Sequence, residues 1–202
     1  MQLIHRWFNQ GQGVEPPPCA QRVQEQAGGR SRGQGRGAAV DARDLEETAR
    51  AMLTIAGKPI GAILLVDARG FKTPPGQRQP ARQHIGTYYD NLRAIVTHSD
   101  FATVWSRVTW HLSDALSRAA PTSPVVVAFY CKSGKHRSVG LAWALTKILR
   151  ERDWGVELRH TMREYWHIGS CRECAECARD SDENLALLEG IRPQVGLLPA
   201  GP

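Results

Sequence analysis

No apolar stretch in the 202-residue chain approaches the ~18 residues that a membrane-crossing helix needs. The opening residues, "MQLIHRWFNQGQG", lack the apolar core and small-residue cleavage site of a signal peptide. Cysteine does not make a disulfide framework either: there are five, an odd number, and three of them fall within seven positions. These absences predict an intracellular, cytoplasmic protein with no membrane partner. A Walker A loop is also missing. Around Gly134 and Lys135, Phe129 stands where the first glycine belongs and His136 where Ser or Thr belongs.

What is present is ordinary in bulk: 42% hydrophobic and 23% charged residues, enough for one globular domain with a core plus tails. The 26 Lys and Arg exceed the 20 Asp and Glu, for a net charge of +6. That surplus suits phosphate-bearing partners, whether small ligands or nucleic acid, and equally a plain solvated basic surface.

Residues 1–37 are rich in Gln, Gly, Arg and Pro and read as a disordered basic arm, with Arg6, Arg22, Arg30, Arg32 and Arg36 against Glu15 and Glu25. Its "GRSRGQGRG" patch is either an RNA-touching arginine-glycine segment or an inert tail. Over 38–165 the pattern changes to that of a folded domain. A helix is expected from a cap at Asp44 to a stop at Gly57, then a buried strand in "IGAILLVDARG" and a proline-broken loop through "FKTPPGQRQPARQHIGTYYD". A second helix follows Ser99 or Asp100, with Phe101, Val104, Trp105, Val108 and Leu112 on one face. "PVVVAFY" is a strand, and "RSVGLAWALTKILRERD" is a helix with Val139, Ala142, Trp143 and Leu145 inward. "WGVELRHTM" is a third strand. This alternation predicts an α/β fold, a three-layer α/β/α sandwich with a mainly parallel sheet and a phosphate-binding loop between strand and helix. Ligands of such sheets sit at the carboxyl ends of the strands. Residues 166–192 form a Cys-rich segment and a C-terminal helix, and 193–202 a tail.

The loop "CKSGKHRS" joins a buried strand to a helix start, where backbone N–H groups and the helix dipole favour an anion. Gly134 lets the backbone bend towards a ligand. Lys132, Lys135, His136 and Arg137 add charge, and Ser133 and Ser138 add hydroxyls. The same letters fit the cysteine-phosphatase pattern of Cys, five residues, Arg and Ser. In that reading Cys131 is the nucleophile, Arg137 holds the transition state and Asp67 is the acid. Tyr130 replaces the histidine usual before that nucleophile, and no WPD-like acid loop is visible. The plainer readings are Cys131 as a small buried hydrophobe and Asp67 as a strand-end cap.

Three anchors in order carry a family resemblance. "CKSGKHRSVGLAWAL" resembles the "GCTGGKHRSV"-type loop of the C-terminal domain of the RapZ RNase adapter protein family, sharing Cys131, Gly134, Lys135, His136, Arg137, Ser138 and Val139. "LLVDARGFKTP" resembles its strand ending in Asp-x-Arg before a proline-containing loop, and "GVELRHTM" its "VxVRHRDL" strand. The departures are Lys132 and Ser133 for Thr-Gly, and Thr161 and Met162 for Arg-Asp. The resemblance implies a sensing domain for a phosphorylated small molecule, an amino-sugar phosphate or nucleotide, that contacts RNA or protein partners and forms homo-oligomers. Residues 131–138 would line its pocket, Asp67 and Arg69 would lie opposite, and Arg159 and His160 match the family's Arg-His pair.

Cys171, Cys174 and Cys177 lie at three-residue spacing, with His167 four positions before the first. Together they would make a tetrahedral Cys3His structural zinc site, with His160 as a rival fourth ligand. Unligated thiols, or another metal, are the alternatives.

Overall fold

The computed structural model describes residues 2–6, 47, 50, 60–71, 83–120, 123–132, 134–161, 163, 166, 171, 174–178, 180–192, 198 and 201. Two apolar runs set its centre. Ala62–Asp67 forms strand β2 and Val125–Tyr130 forms β3, paired in parallel from Ala62 opposite Val125 to Asp67 opposite Tyr130. Every β3 residue through Phe129 is buried, as in a strand covered on both faces.

The four-stranded sheet has the order β2-β3-β1-β4, with β1 at Gln2–Arg6 and β4 at Val156–His160. Strand β1 runs antiparallel to both β3 and β4. Strands β2, β3 and β4 therefore point one way, and the fold is α/β. The position of β1 corrects the expectation that the disordered arm starts at residue 1. Gln2 lies opposite both Phe129 and His160; residues 2–5 pair with β3 and residues 2–6 with β4, filling the facing edges of the two strands. Residues 7–37 of the expected arm lie outside the described residues.

Helix α1 is Tyr89–Val96, α2 Phe101–Arg118, α3 Arg137–Arg150, α4 Ala175–Ala178 and α5 Asp182–Ile191. Along α2, Phe101, Trp105, Val108, Leu112, Ala115 and Leu116 recur every three or four positions and are buried, with Val104 half-buried. In α3, Val139, Ala142 and Leu145 are buried as expected, while Trp143 is half-buried with the Lys147 ammonium over its ring. These helices share one core with Val125, Val127 and Phe129 from one face of β3. On the other face Val126 and Ala128 are equally enclosed, so both faces of the sheet are covered.

Helix α1 begins at Tyr89, within the last two residues of the expected loop, and continues beyond it. Leu92 and Ile95 bury one side of it, and the prolines that suggested a loop lie outside the described residues. Of the helix expected from Asp44, Glu47 and Arg50 are described, and both are helical. Ser181 caps α5 by accepting the Asn184 N–H at 3.2 Å. Within the expected tail Leu198 belongs to the core, and the Gly201 N–H donates to the Arg152 carbonyl at 2.7 Å. No described helix is long and apolar enough to cross a membrane.

Candidate functional site

The shared direction of β2, β3 and β4 puts Asp67, Tyr130 and His160 at one rim of the sheet. Asp67 and Tyr130 are neighbours, whereas β1 separates β3 from β4, placing His160 about 10 Å along the rim from Phe129. The 131–138 loop rises from the end of β3 and enters α3. Gly134 takes a φ of 61°, a left-handed conformation that glycine adopts without strain.

Cys131 is half-buried with its Sγ 3.2 Å from the Oγ of fully buried Ser138. Burial pushes its thiol pKa up. Hydrogen bonds from the Ser138 side chain and backbone, the Arg137 charge and the Gly134 N–H outweigh that and bring it below the ordinary value. The donors of the loop thus converge where a negative charge is favoured.

At the end of β2, the Arg69 guanidinium grips Asp67 with Nε at 2.9–3.0 Å from both oxygens and Nη2 at 2.6 Å from Oδ2. The Arg69 N–H also donates to Oδ1, at 2.8 Å. Burial raises the Asp67 pKa, but the Arg69 pairing and the Tyr130 hydrogen bond together prevail and hold the carboxyl below its usual value. Burial and the Asp67 charge push the Tyr130 hydroxyl up. Arg137 spans to the same turn, its Nη1 donating to the carbonyls of Arg69 at 2.8 Å and Phe71 at 3.0 Å. It therefore ties the start of α3 to the end of β2.

The other loop residues divide. Lys132 is exposed, His136 is half-buried at the helix start, and Ser133 lies outside the described residues. Lys135 is 7% exposed and its ammonium donates to the Gln83 carbonyl at 2.8 Å. Burial lowers its pKa, against the upward pull of Cys171 and Cys177. This lysine is thus joined to the Cys171 segment through the Gln83 carbonyl, which also accepts the Cys171 N–H at 2.8 Å.

That cluster is the second half of the site. His84, Cys171, Cys174 and Cys177 bring four ligand atoms within 4.8 Å of one another. His84 Nδ1 lies 3.3 Å from the Cys177 Sγ and 3.4 Å from that of Cys174, and the Cys171 and Cys177 sulfurs are 3.3 Å apart. A tetrahedral ion bound by thiolate and imidazole needs edges of about 3.5–3.8 Å, close to these separations. The Cys174 N–H donates to the Cys171 Sγ at 3.0 Å. His84 Nε2 faces a Glu176 carboxylate oxygen at 3.5 Å, a partner that would orient a ligating imidazole. Burial pushes the Cys171 thiol up, but hydrogen bonds from the Cys174 N–H, Cys177, Cys174 and His84 bring it to about 7. Burial, with Cys171 beside it, drives the Cys177 thiol well above the usual range. The group can hold a metal ion.

Sequence spacing found the three cysteines but not His84, which stands 90 residues before Cys174 in a loop with no local metal signature. His167 lies outside the described residues. His160 is not in the cluster; its ring lies 5.8 Å from that of Trp166.

Searches of curated proteins and of solved structures returned no significant match. A protein-family model, the RapZ C-terminal domain, matches residues 54–164. That span contains β2, β3, β4, α1, α2, α3 and the whole 131–138 loop. The chain belongs to the RapZ C-terminal domain family.

Proposed function

We propose that the chain binds a phosphorylated small molecule, an amino-sugar phosphate or a nucleotide, on the 131–138 loop. The observation that carries this is the convergence of the Gly134 and Ser138 N–H groups, the Ser138 hydroxyl and the Arg137 charge on Cys131 at the start of α3. Backbone donors at a helix N-terminus supply what a phosphate needs. Asp67, Arg69 and Tyr130 on the adjoining strand ends offer polar contacts for the rest of the ligand. The metal at His84 and the three cysteines is zinc in this reading, because three thiolates and one imidazole form a closed set typical of structural sites.

The lowered Cys131 pKa also favours a second reading, phosphomonoester hydrolysis through a Cys131 phosphoenzyme. Against it, Asp67 is ion-paired and ionised at neutral pH, a poor state for protonating a leaving group. Calorimetric titration with inorganic phosphate and an amino-sugar phosphate, beside turnover of an aryl phosphate, separates the two. Binding without turnover, retained in Cys131→Ser and weakened at least ~10-fold in Arg137→Met, supports the sensor. Turnover that disappears in Cys131→Ser would make the domain a phosphatase. Contact with RNA is the adapter part of the proposal and rests on the arginines of the arm. It requires affinity that falls steeply with salt and with deletion of residues 7–37.

A further inference from the structure

Outside the loop itself, the densest set of unexplained contacts lies between it and the cysteine cluster. The segment carrying His84 is seated on the loop backbone: the Gly86 N–H donates to the Lys135 carbonyl at 3.0 Å. A Cβ at Gly86 would stand 1.9 Å from the His136 oxygen and 2.4 Å from the Gly140 nitrogen. The Gln83 carbonyl accepts both the Lys135 ammonium and, at 2.8 Å, the Cys171 N–H. Thr87 Oγ1 donates to the Cys177 carbonyl at 2.7 Å, and Trp166 Nε1 to the Gly134 carbonyl at 3.2 Å. Ile85, Val139, Trp166 and Cys177 pack as one buried apolar group between the two sites.

Charge points the same way. A divalent ion with three thiolates and a neutral imidazole keeps one net negative charge. With Cys177 buried and the other three ligands half-buried, such a charge is only partly solvated and gains from a nearby cation. Lys135 is a buried cation whose ammonium shares the Gln83 carbonyl with the Cys171 N–H, yet it belongs to the loop.

We propose that the metal centre and the 131–138 loop are one coupled unit, with Lys135 the counter-charge of the metal-thiolate group, so that metal occupancy sets the order of the loop and its affinity for phosphate. The affinity half of this rests on the reading of the loop as a phosphate site; the order half does not. A bound metal would hold His84 against the cysteines and so keep the 83–88 segment seated on the backbone of residues 134–140. Loss of the metal releases that hold and leaves Lys135 without the thiolate charge it faces.

The test uses the full chain loaded with zinc, then stripped by a chelator and reloaded. Amide hydrogen exchange at Gly86 and at 134–140 is followed together with calorimetric binding of inorganic phosphate. Stripping is expected to speed exchange at those amides at least ~10-fold while the interior of α2 stays protected, and to weaken phosphate at least ~10-fold; zinc restores both. Unchanged exchange at Gly86 and Gly140 after verified zinc release overturns the coupling, as does equal loss of protection through α2. Faster exchange with no phosphate binding in any form keeps the coupling and defeats the ligand reading instead. Lys135→Met is the second probe, and it should lose zinc to the chelator at roughly a tenth of the concentration that strips wild type. Zinc retention equal to wild type removes Lys135 from the centre, and failure of the wild type to take up stoichiometric zinc overturns the whole proposal.

Discussion

Substituting Gly86 by alanine examines the joint between the two sites directly. The new Cβ would sit 1.9 Å from the His136 oxygen and 2.4 Å from the Gly140 nitrogen. Even close carbon–oxygen contacts lie near ~3.3 Å, so the two backbones must part by more than about 1 Å. Both opposing atoms are main chain, and no rotamer change relieves the clash. Overpacking costs about 1–3 kcal/mol where side chains can yield. Here the Gly86–Lys135 hydrogen bond is also stretched, adding about 1 kcal/mol. A loss of about 3 kcal/mol is expected, or a fall of roughly 6–12 °C in the thermal midpoint for a chain of this size. Urea and thermal unfolding of the zinc-loaded protein measure it. Gly190→Ala is the control: its Cβ meets nothing within 4 Å, and alanine inside α5 should stabilise by about 0.5–1 kcal/mol. If Gly86→Ala stays within about 1 kcal/mol of wild type, the 84–88 segment does not rest on α3 and the reasoning fails.

Leu145→Ala empties a fully enclosed position in α3 and should cost about 2–5 kcal/mol in urea unfolding; a change under ~1 kcal/mol would place Leu145 outside the core. Ser181→Ala removes the cap of α5 and should cost about 1 kcal/mol in the same assay. Asp67 has a folded pKa below its unfolded one, so its contribution is complete above about pH 4 and fades as pH falls through the folded value. Both partners are about two-fifths exposed, so solvent screening keeps the contribution under ~1 kcal/mol. The stability gap between wild type and Asp67→Asn should therefore close on acidification, and a gap that widened would contradict the ion pair.

Local pattern was enough for β2, β3, α2, α3 and α5, since each has its own hydrophobic period or a cap within a few residues. Cys131 and Ser138 lie close in sequence on the loop after β3, and that short stretch of chain brings the Cys131 sulfur to the Ser138 hydroxyl. Lys135 shows the limit. Its neighbours mark it as a loop cation, but its side chain reaches the Gln83 carbonyl, 52 residues away, which also accepts the Cys171 N–H. Helix α1 was missed because the prolines before it, together with Gly86, outweighed its short apolar stripe.

By itself the sequence determined the alternation of strands and helices, the loop at the end of β3 and the three-cysteine spacing, all properties of adjacent residues. The tertiary structure alone decided three things. It inserted Gln2–Arg6 between β3 and β4, because backbone pairing depends on available edges rather than on composition. It brought His84 to the cysteines, because ligand geometry is satisfied through space and carries no trace along 90 residues of chain. It also set the His84–cysteine cluster against the 131–138 loop, because two glycines, Gly86 and Gly140, let two backbones meet where any side chain would have held them apart.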